Sequence, residues 1–234
     1  MSDVMLEVEG LDAWYGRARI LFGVSLKIRR GEVVALLGRN GAGKTTTLKS
    51  IMGIVGKRKG SVTFEGKETI ALASDKIART GIALCPEERG IFASLDVREN
   101  LMLPPQVAPG GLSVEQVFDL FPNLKERINS QGTKLSGGEQ QMLAIGRILR
   151  TGARLLMLDE PTEGLAPVII QQIGRTIARL KQEGFTILLV EQNFRFASTV
   201  ADRFYVMEHG KIIDGFANSE LEANMPKLHE YLGV

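Results

Sequence analysis

Cysteine, histidine and long apolar runs are what this sequence has least of. A single cysteine, Cys85, rules out an internal disulfide and suits a reducing compartment. The two histidines, His209 and His229, give no metal-ligand spacing. No apolar stretch reaches the roughly 18 residues that a membrane span needs. The start, Met1 to Val4, brings an acid early and no apolar signal core. Charge of one sign is missing too: 29 basic and 27 acidic residues leave a net of +2, so there is no electrostatic case for nucleic-acid binding. The basic run Lys57-Arg58-Lys59, between Gly56 and Gly60, is expected to be a solvated turn. These absences predict a soluble, cytoplasmic chain whose membrane role, if any, comes through a partner.

What remains is an ordinary globular composition, 44% hydrophobic over 234 residues, enough for one large domain or one domain with an inserted lobe. Residues near 4–9 and 24–28 alternate apolar and polar, and Val62–Gly66 repeats the pattern, as half-buried strands of an antiparallel layer do. Four other runs are continuously apolar: Val33–Leu37, Ile82–Cys85, Leu155–Leu158 and Thr186–Val190. Such runs belong to parallel sheets covered on both faces. Each is followed by a group of interest: Gly38, Glu87, Asp159-Glu160 and Glu191-Gln192. Ligands of parallel α/β sheets bind beyond the carboxyl ends of the strands, so the four runs describe one site.

From about Arg89 to Arg150 this pattern stops. Asp96 with Glu99, and Ser113 with Gln116, form capping boxes that start helices, which Pro104-Pro105 and Pro122 end. A small helical lobe is therefore expected within the α/β core. Beyond it, a helix over Val168–Lys181 stops at Gly184, and a hairpin turns at His209-Gly210 before a short C-terminal helix.

Gly38-Arg39-Asn40-Gly41-Ala42-Gly43-Lys44-Thr45 fits the phosphate-loop pattern G-x-x-x-x-G-K-[ST], with a buried strand before it and a helical run from Thr46 after it. Gly38, Asn40, Gly41, Ala42, Gly43, Lys44, Thr45 and Thr46 are the candidate nucleotide contacts. The amides from Gly41 to Thr45 would wrap the β-phosphate, Lys44 would bridge the β- and γ-phosphates, and the Thr45 hydroxyl would ligate Mg²⁺. Asp159 is the acid expected on the metal side, and Glu160 the candidate general base for the attacking water.

Leu135-Ser136-Gly137-Gly138-Glu139-Gln140-Gln141 is more specific still. Ser136 and Glu139 form a third capping box, and a serine hydroxyl with open helix amides is a ready anion site. Alone, this would be an ordinary helix cap. With the phosphate loop, it makes the chain resemble the nucleotide-binding subunit of ATP-binding-cassette (ABC) transporters over nearly its whole length.

That resemblance implies a P-loop NTPase (RecA-like) core with an antiparallel β layer and an inserted α-helical subdomain. It implies one ABC domain over 1–234, with 1–88 and 151–234 as core and 89–150 as the helical lobe. It implies ATP and Mg²⁺, with Thr45, Glu87 and Asp159 toward the metal and Tyr15 stacked on adenine, although Trp14 is its neighbour. Leu135–Gln140 becomes the signature motif, whose Ser136, Gly137 and Gly138 act on the ATP of a second ATPase subunit, identical or different. Other implied partners are transmembrane permease subunits and, indirectly, a solute-binding protein. The chain would then sit on the cytoplasmic face of the membrane.

Three positions depart from the usual pattern. Glu87 replaces a glutamine, Gln192 replaces the switch histidine, and Ala166 replaces an aspartate of the loop that crosses the dimer interface. Glutamine cannot carry charge or move a proton, which leaves Glu160 as the base, with Gln192 and Glu87 beside it. Cys85–Gly90, Leu135–Arg147, Glu163–Pro167 and Leu189–Asn193 are similar to one ATPase subunit of bacterial importers for branched-chain amino acids, and of the related urea and amide importers. The alternatives are the ATPase of a lipid or lipopolysaccharide exporter and, further off, a non-transport ABC ATPase of DNA maintenance or translation.

Overall fold

Residues 3–233 are described by the computed structural model of the protein. Two long strands, β1 (Val4–Tyr15) and β2 (Ala18–Arg29), pair antiparallel and run well past their alternating segments, with register shifts along β1 between Val8 and Leu11. After β3 (Val33–Leu37), the phosphate loop leads into α1 (Lys44–Ile51). Then come β4 (Lys57–Phe64), β5 (Lys67–Glu68), α2 (Ser74–Ala78) and β6 (Ile82–Cys85). Four helices follow: α3 (Val97–Met102), α4 (Val114–Leu120), α5 (Pro122–Glu126) and α6 (Gly137–Leu149). The chain closes with β7 (Leu155–Asp159), α7 (Pro167–Gln182), β8 (Thr186–Glu191), α8 (Phe194–Val200), β9 (Arg203–Glu208), β10 (Lys211–Ala217) and α9 (Leu221–Leu232). No described helix is long and apolar enough to cross a membrane.

The strands form two sheets, ordered β2-β1-β4-β5 and β10-β9-β3-β8-β7-β6. All four continuous apolar runs lie in the six-stranded sheet as parallel neighbours, and β9 joins them parallel to β3. Alternation along these strands divides the core in two. Val34, Leu36, Leu188, Val190 and Met157 face the antiparallel sheet and α1. Val33, Ala35, Leu37, Leu189 and Leu158 face the other way, onto α6, α7 and the small helices before α6. Burial on both faces is why these strands carry no polar alternation.

All three capping boxes form as expected, at Asp96/Glu99, Ser113/Gln116 and Ser136/Glu139. Pro122 does more than end α4: it is also the first residue of α5, where its missing N–H costs nothing. Lys57-Arg58-Lys59 is not a turn but the start of β4. Trp14 explains it, because its ring takes the Lys57 ammonium at 5.0 Å, while Arg58 donates to the carbonyls of Val55 at 2.9 Å and Leu72 at 2.8 Å. The hairpin of β9 and β10 turns on His209 and Gly210, both left-handed at φ 45° and 76°, as a type I′ turn requires.

Candidate functional site

The carboxyl ends of β3, β7 and β8 meet beside the start of α1. Gly38, at the end of β3, has no room for a side chain: a β-carbon there would stand 2.5 Å from the Met207 carbonyl oxygen. Gly41 and Gly43 take φ of 81° and 109°, which turns successive backbone amides toward one side. The tip of the β9–β10 hairpin backs this loop, with Gly210 N–H donating to the Ala42 carbonyl at 2.8 Å.

Lys44 is buried, with 4% of its surface exposed. Its ammonium donates to the carbonyls of Gly38 at 2.7 Å and Arg39 at 3.1 Å, and pairs with Glu160 Oε1 at 3.0 Å. Glu160 has a left-handed backbone, φ 46°, immediately before Pro161. A residue preceding proline disfavours helical backbone, so this conformation is strained. Its own N–H, held by the Val190 carbonyl at 2.9 Å, fixes the strain in place.

Thr45 Oγ1 donates to Asp159 Oδ1 at 3.1 Å. Burial raises the Asp159 carboxyl to about 6, although the Thr45 hydrogen bond opposes the shift. A buried carboxylate so held favours a nearby cation. The available donors are hard oxygens, from Thr45, Asp159 and the exposed Glu87, which suits Mg²⁺ and not a soft metal. Among the described residues no group of three or more His, Cys, Asp and Glu could hold a metal by itself. Magnesium fits that poverty, because it is usually held by one or two protein groups with phosphates and water.

A cleft of about 460 Å³ opens over these residues, lined from Asn40 to Thr46 and by Tyr15, Ile20, Glu87, Glu160 and Glu163. Tyr15 is half exposed at 50% and belongs to the cleft wall. Trp14, by contrast, has Arg19 and Lys57 against its ring, 5.6 and 5.0 Å from the centroid. Of the two aromatics, Tyr15 lines the cleft and Trp14 does not. Ile20 and Glu163 are wall residues that the sequence did not single out. Glu163 is raised above the usual carboxylate range by its hydrogen bond with Glu160 and then by burial.

Gln192 is exposed and does not line the cleft. The residue before it, Glu191, is the buried one. Burial pushes Glu191 to about 7, against hydrogen bonds from Thr162 Oγ1 at 2.8 Å and Asn193 N–H at 3.3 Å. Its signal in the sequence is a carboxylate ending a wholly apolar strand, just as Asp159 does. Because its folded pKa lies above the 4.5 of an unfolded glutamate, the native protein binds this proton more tightly than the unfolded chain. Stability is then fully present below about pH 4.5 and falls as pH rises through 7, by about 3 kcal/mol at the high end. Melting temperatures between pH 5 and 8 are expected to fall less in Glu191→Gln than in the unsubstituted protein. Parallel profiles would show that the side chain titrates as in the unfolded chain.

Ser136, Gly137 and Gly138 also lie outside the cleft. Ser136 is exposed and caps α6: its N–H donates to Glu139 Oε2 at 2.7 Å, and its Oγ accepts from Glu139 N–H at 3.3 Å. The two glycines serve different ends. A β-carbon on Gly138 would press on Ile169 of α7 at 3.0 Å, so this glycine permits close helix packing, whereas Gly137 is partly open.

A phosphate loop between a buried parallel strand and a helix, with an acidic pair on a neighbouring strand, defines a P-loop NTPase. The ABC transporter family profile matches residues 21–163, and the chain belongs to that family. BraG of Pseudomonas aeruginosa, a high-affinity branched-chain amino acid transport ATP-binding protein, is 44% identical over 98% of this chain and 100% of its own. LivF of Archaeoglobus fulgidus, a probable branched-chain amino acid transport ATP-binding protein, is 37% identical over 93% and 94%. LptB of Escherichia coli, a lipopolysaccharide export system ATP-binding protein, is 34% identical over 97% of each. The crystal structure of the ADP conformation of MJ1267, an ATP-binding cassette of an ABC transporter, superposes with a TM-score of 0.82 at 26% identity over 98% of each chain. The chain is thus an ATP-binding subunit whose ATP hydrolysis serves transport.

Proposed function

We propose that this chain powers import of branched-chain amino acids, working on the cytoplasmic face of the membrane with a permease and a second ATPase subunit. The single observation that carries the choice of solute is the similarity to BraG, 44% over 98% of this chain and all of BraG, against 34% to the exporter subunit LptB. A secreted or tethered solute-binding protein would select the amino acid.

In this reading ATP lies in the 460 Å³ cleft with adenine on Tyr15 and its phosphates on the amides from Gly41 to Thr45. Asn40 and Thr46 complete the wall around the phosphates. Lys44 exchanges its carbonyl and Glu160 partners for the β- and γ-phosphates. Thr45, Asp159 and Glu87 would hold Mg²⁺, which when bound supplies positive charge against the phosphate oxygens. Released from Lys44, Glu160 accepts a proton from the attacking water. Gln192 donates to the γ-phosphate once the loop after β8 moves inward. Ser136, Gly137 and Gly138 engage the ATP held by the neighbouring ATPase, which is why they stand outside this chain's own cleft.

A second cavity, about 410 Å³ and largely apolar, supports the permease as partner. It lies between Lys49, Met52 and Ile54 on one side and Pro105, Val107 and Ile148 on the other, and Ile54 is 53% exposed. An apolar helix of a permease would cover it, close to Pro86 and the loop that carries Glu87. Loading in the cleft and motion in the membrane then share one short segment.

Radiolabelled leucine, isoleucine and valine uptake in a strain lacking this chain tests the reading. Uptake is expected to fall and to return with the unsubstituted chain but not with Lys44→Ala. Unchanged uptake of all three amino acids would reject import of this class, and a defect in lipopolysaccharide export instead would favour the LptB-like role.

A further inference from the structure

Two arginines cross the loop that leaves β6. The loop starts at Glu87 on the cleft wall and ends at Asp96, the cap of α3. Midway, Arg89 and Gly90 both take left-handed backbone, φ 63° and 58°, a strained geometry for an arginine. The bend sends Arg89 back to the signature helix α6. Its Nη1 donates to Gln140 Oε1 at 3.2 Å, and its Nη1 and Nη2 lie 3.4 and 3.5 Å from where a β-carbon on Gly137 would stand. Gln140 Nε2 donates in turn to the carbonyls of Gly132 at 3.1 Å and Leu135 at 3.2 Å, the second being the peptide that leads into Ser136.

Arg147, farther along α6, reaches the opposite way. It donates to the Gly90 carbonyl and stacks over Phe92, 4.9 Å from the ring centroid. Asn100 fastens the far end of the loop from full burial. It accepts from Phe92 N–H at 2.8 Å and donates to the carbonyls of Phe92, Leu95 and Asp96 at 3.0, 3.1 and 2.9 Å. The Nε atoms of both arginines are buried and lack hydrogen-bond partners among the described residues.

We infer that Arg89 is a positioning residue that couples the two ends of the engine. Through Gln140 it ties the backbone before Ser136 to the loop that begins at Glu87. Glu87 lines the cleft of its own chain, while Ser136 is exposed outside it. Occupancy of this chain's cleft therefore sets the pose with which this chain meets its neighbour's ATP. The inference rests on the reading of Ser136 as a contact to the neighbouring nucleotide.

The test uses the transporter assembled with its permease and partner ATPase. Arg89→Ala and Gln140→Ala are each expected to lower kcat for ATP by about 10- to 100-fold, the range a small misplacement of a reacting group produces. KM for ATP and the melting temperature are expected to stay within error. The double variant is expected to be no slower than either single one, because a shared contact is lost only once. Arg89→Lys keeps a charged donor toward Gln140 Oε1 and leaves the Gln140 amide on the Gly132 and Leu135 carbonyls, so it is expected to recover most of kcat. A kcat within twofold of the unsubstituted complex in Arg89→Ala, losses that multiply in the double variant, or a matching fall in melting temperature would each overturn the coupling. Ser136→Ala distinguishes the two levels: if it leaves kcat unchanged, the reading of the signature itself is wrong, and the coupling falls with it.

Discussion

Glu160→Gln is expected to slow ATP turnover by about 10²- to 10⁴-fold without loss of nucleotide binding, which is the usual worth of a positioned base. Glutamine has nearly the same shape, and the backbone that aims it, left-handed before Pro161 and tied to the Val190 carbonyl, is unchanged by the substitution. What is lost is the ability to take a proton, since an amide has no basic oxygen at neutral pH. The structure adds a second expectation. Glu160 holds the Lys44 ammonium at 3.0 Å, so in the free protein the carboxylate competes with phosphate for that lysine. With the neutral amide the competition weakens, and ATP is expected to bind more tightly than before. Steady-state phosphate release and equilibrium titration with a fluorescent ATP analogue measure the two quantities separately. Near-normal turnover would remove Glu160 from the role of base, and weakened binding would refute the competition.

Lys44→Ala is the other large effect, and it acts on binding. Losing a charged, hydrogen-bonded partner of a phosphate inside a cleft costs about 2–5 kcal/mol, a loss of about 30- to 4,000-fold in affinity. A second consequence appears without nucleotide. The lysine and Glu160 side chains are both largely enclosed, and removing the cation leaves the carboxylate beside Asp159 with no counter-charge. The single variant is therefore expected to melt earlier than the unsubstituted protein. Combining it with Glu160→Gln is expected to recover that stability but not the affinity, because the first defect is electrostatic and the second is a missing ligand. Affinity within threefold of the original in Lys44→Ala would show that the loop amides alone carry the phosphates.

The parts most legible in the sequence were local. A glycine-rich turn before a lysine, three capping boxes and four wholly apolar strands each rest on residues within a few positions of one another. All of them took the shape that backbone chemistry demands. What escaped was non-local. β9 carries the pattern of a hairpin strand, yet its outer partner is only half its pairing, for its other edge lies parallel to β3. Lys57 and Arg58 looked like turn residues because nothing in their immediate sequence announces Trp14, Val55 and Leu72 as partners. The short helices α2 and α8 have too few residues for a periodic signal to stand out. At the end of β8 the sequence points to Gln192, whereas the buried carboxyl, raised by that burial, is Glu191. Both are polar after an apolar strand, and only packing decides which one turns inward.

The wall behind the phosphate loop has a bearing on how the chain acquires its activity. The loop is written in eight consecutive residues near the start, but Thr47 meets Met207, 160 residues later, and Gly210 closes the circuit on Ala42. Ribosomal synthesis releases the loop long before its wall. Pairing β3 with β8 and β9 likewise waits for strands from the last quarter of the chain, the kind of long-range closure that slows folding. A nascent or truncated chain that ends between Thr45 and Met207 would carry the complete phosphate-loop text but lack the hairpin tip that backs it. Full support of the phosphate loop therefore waits until the β9–β10 hairpin has folded behind it.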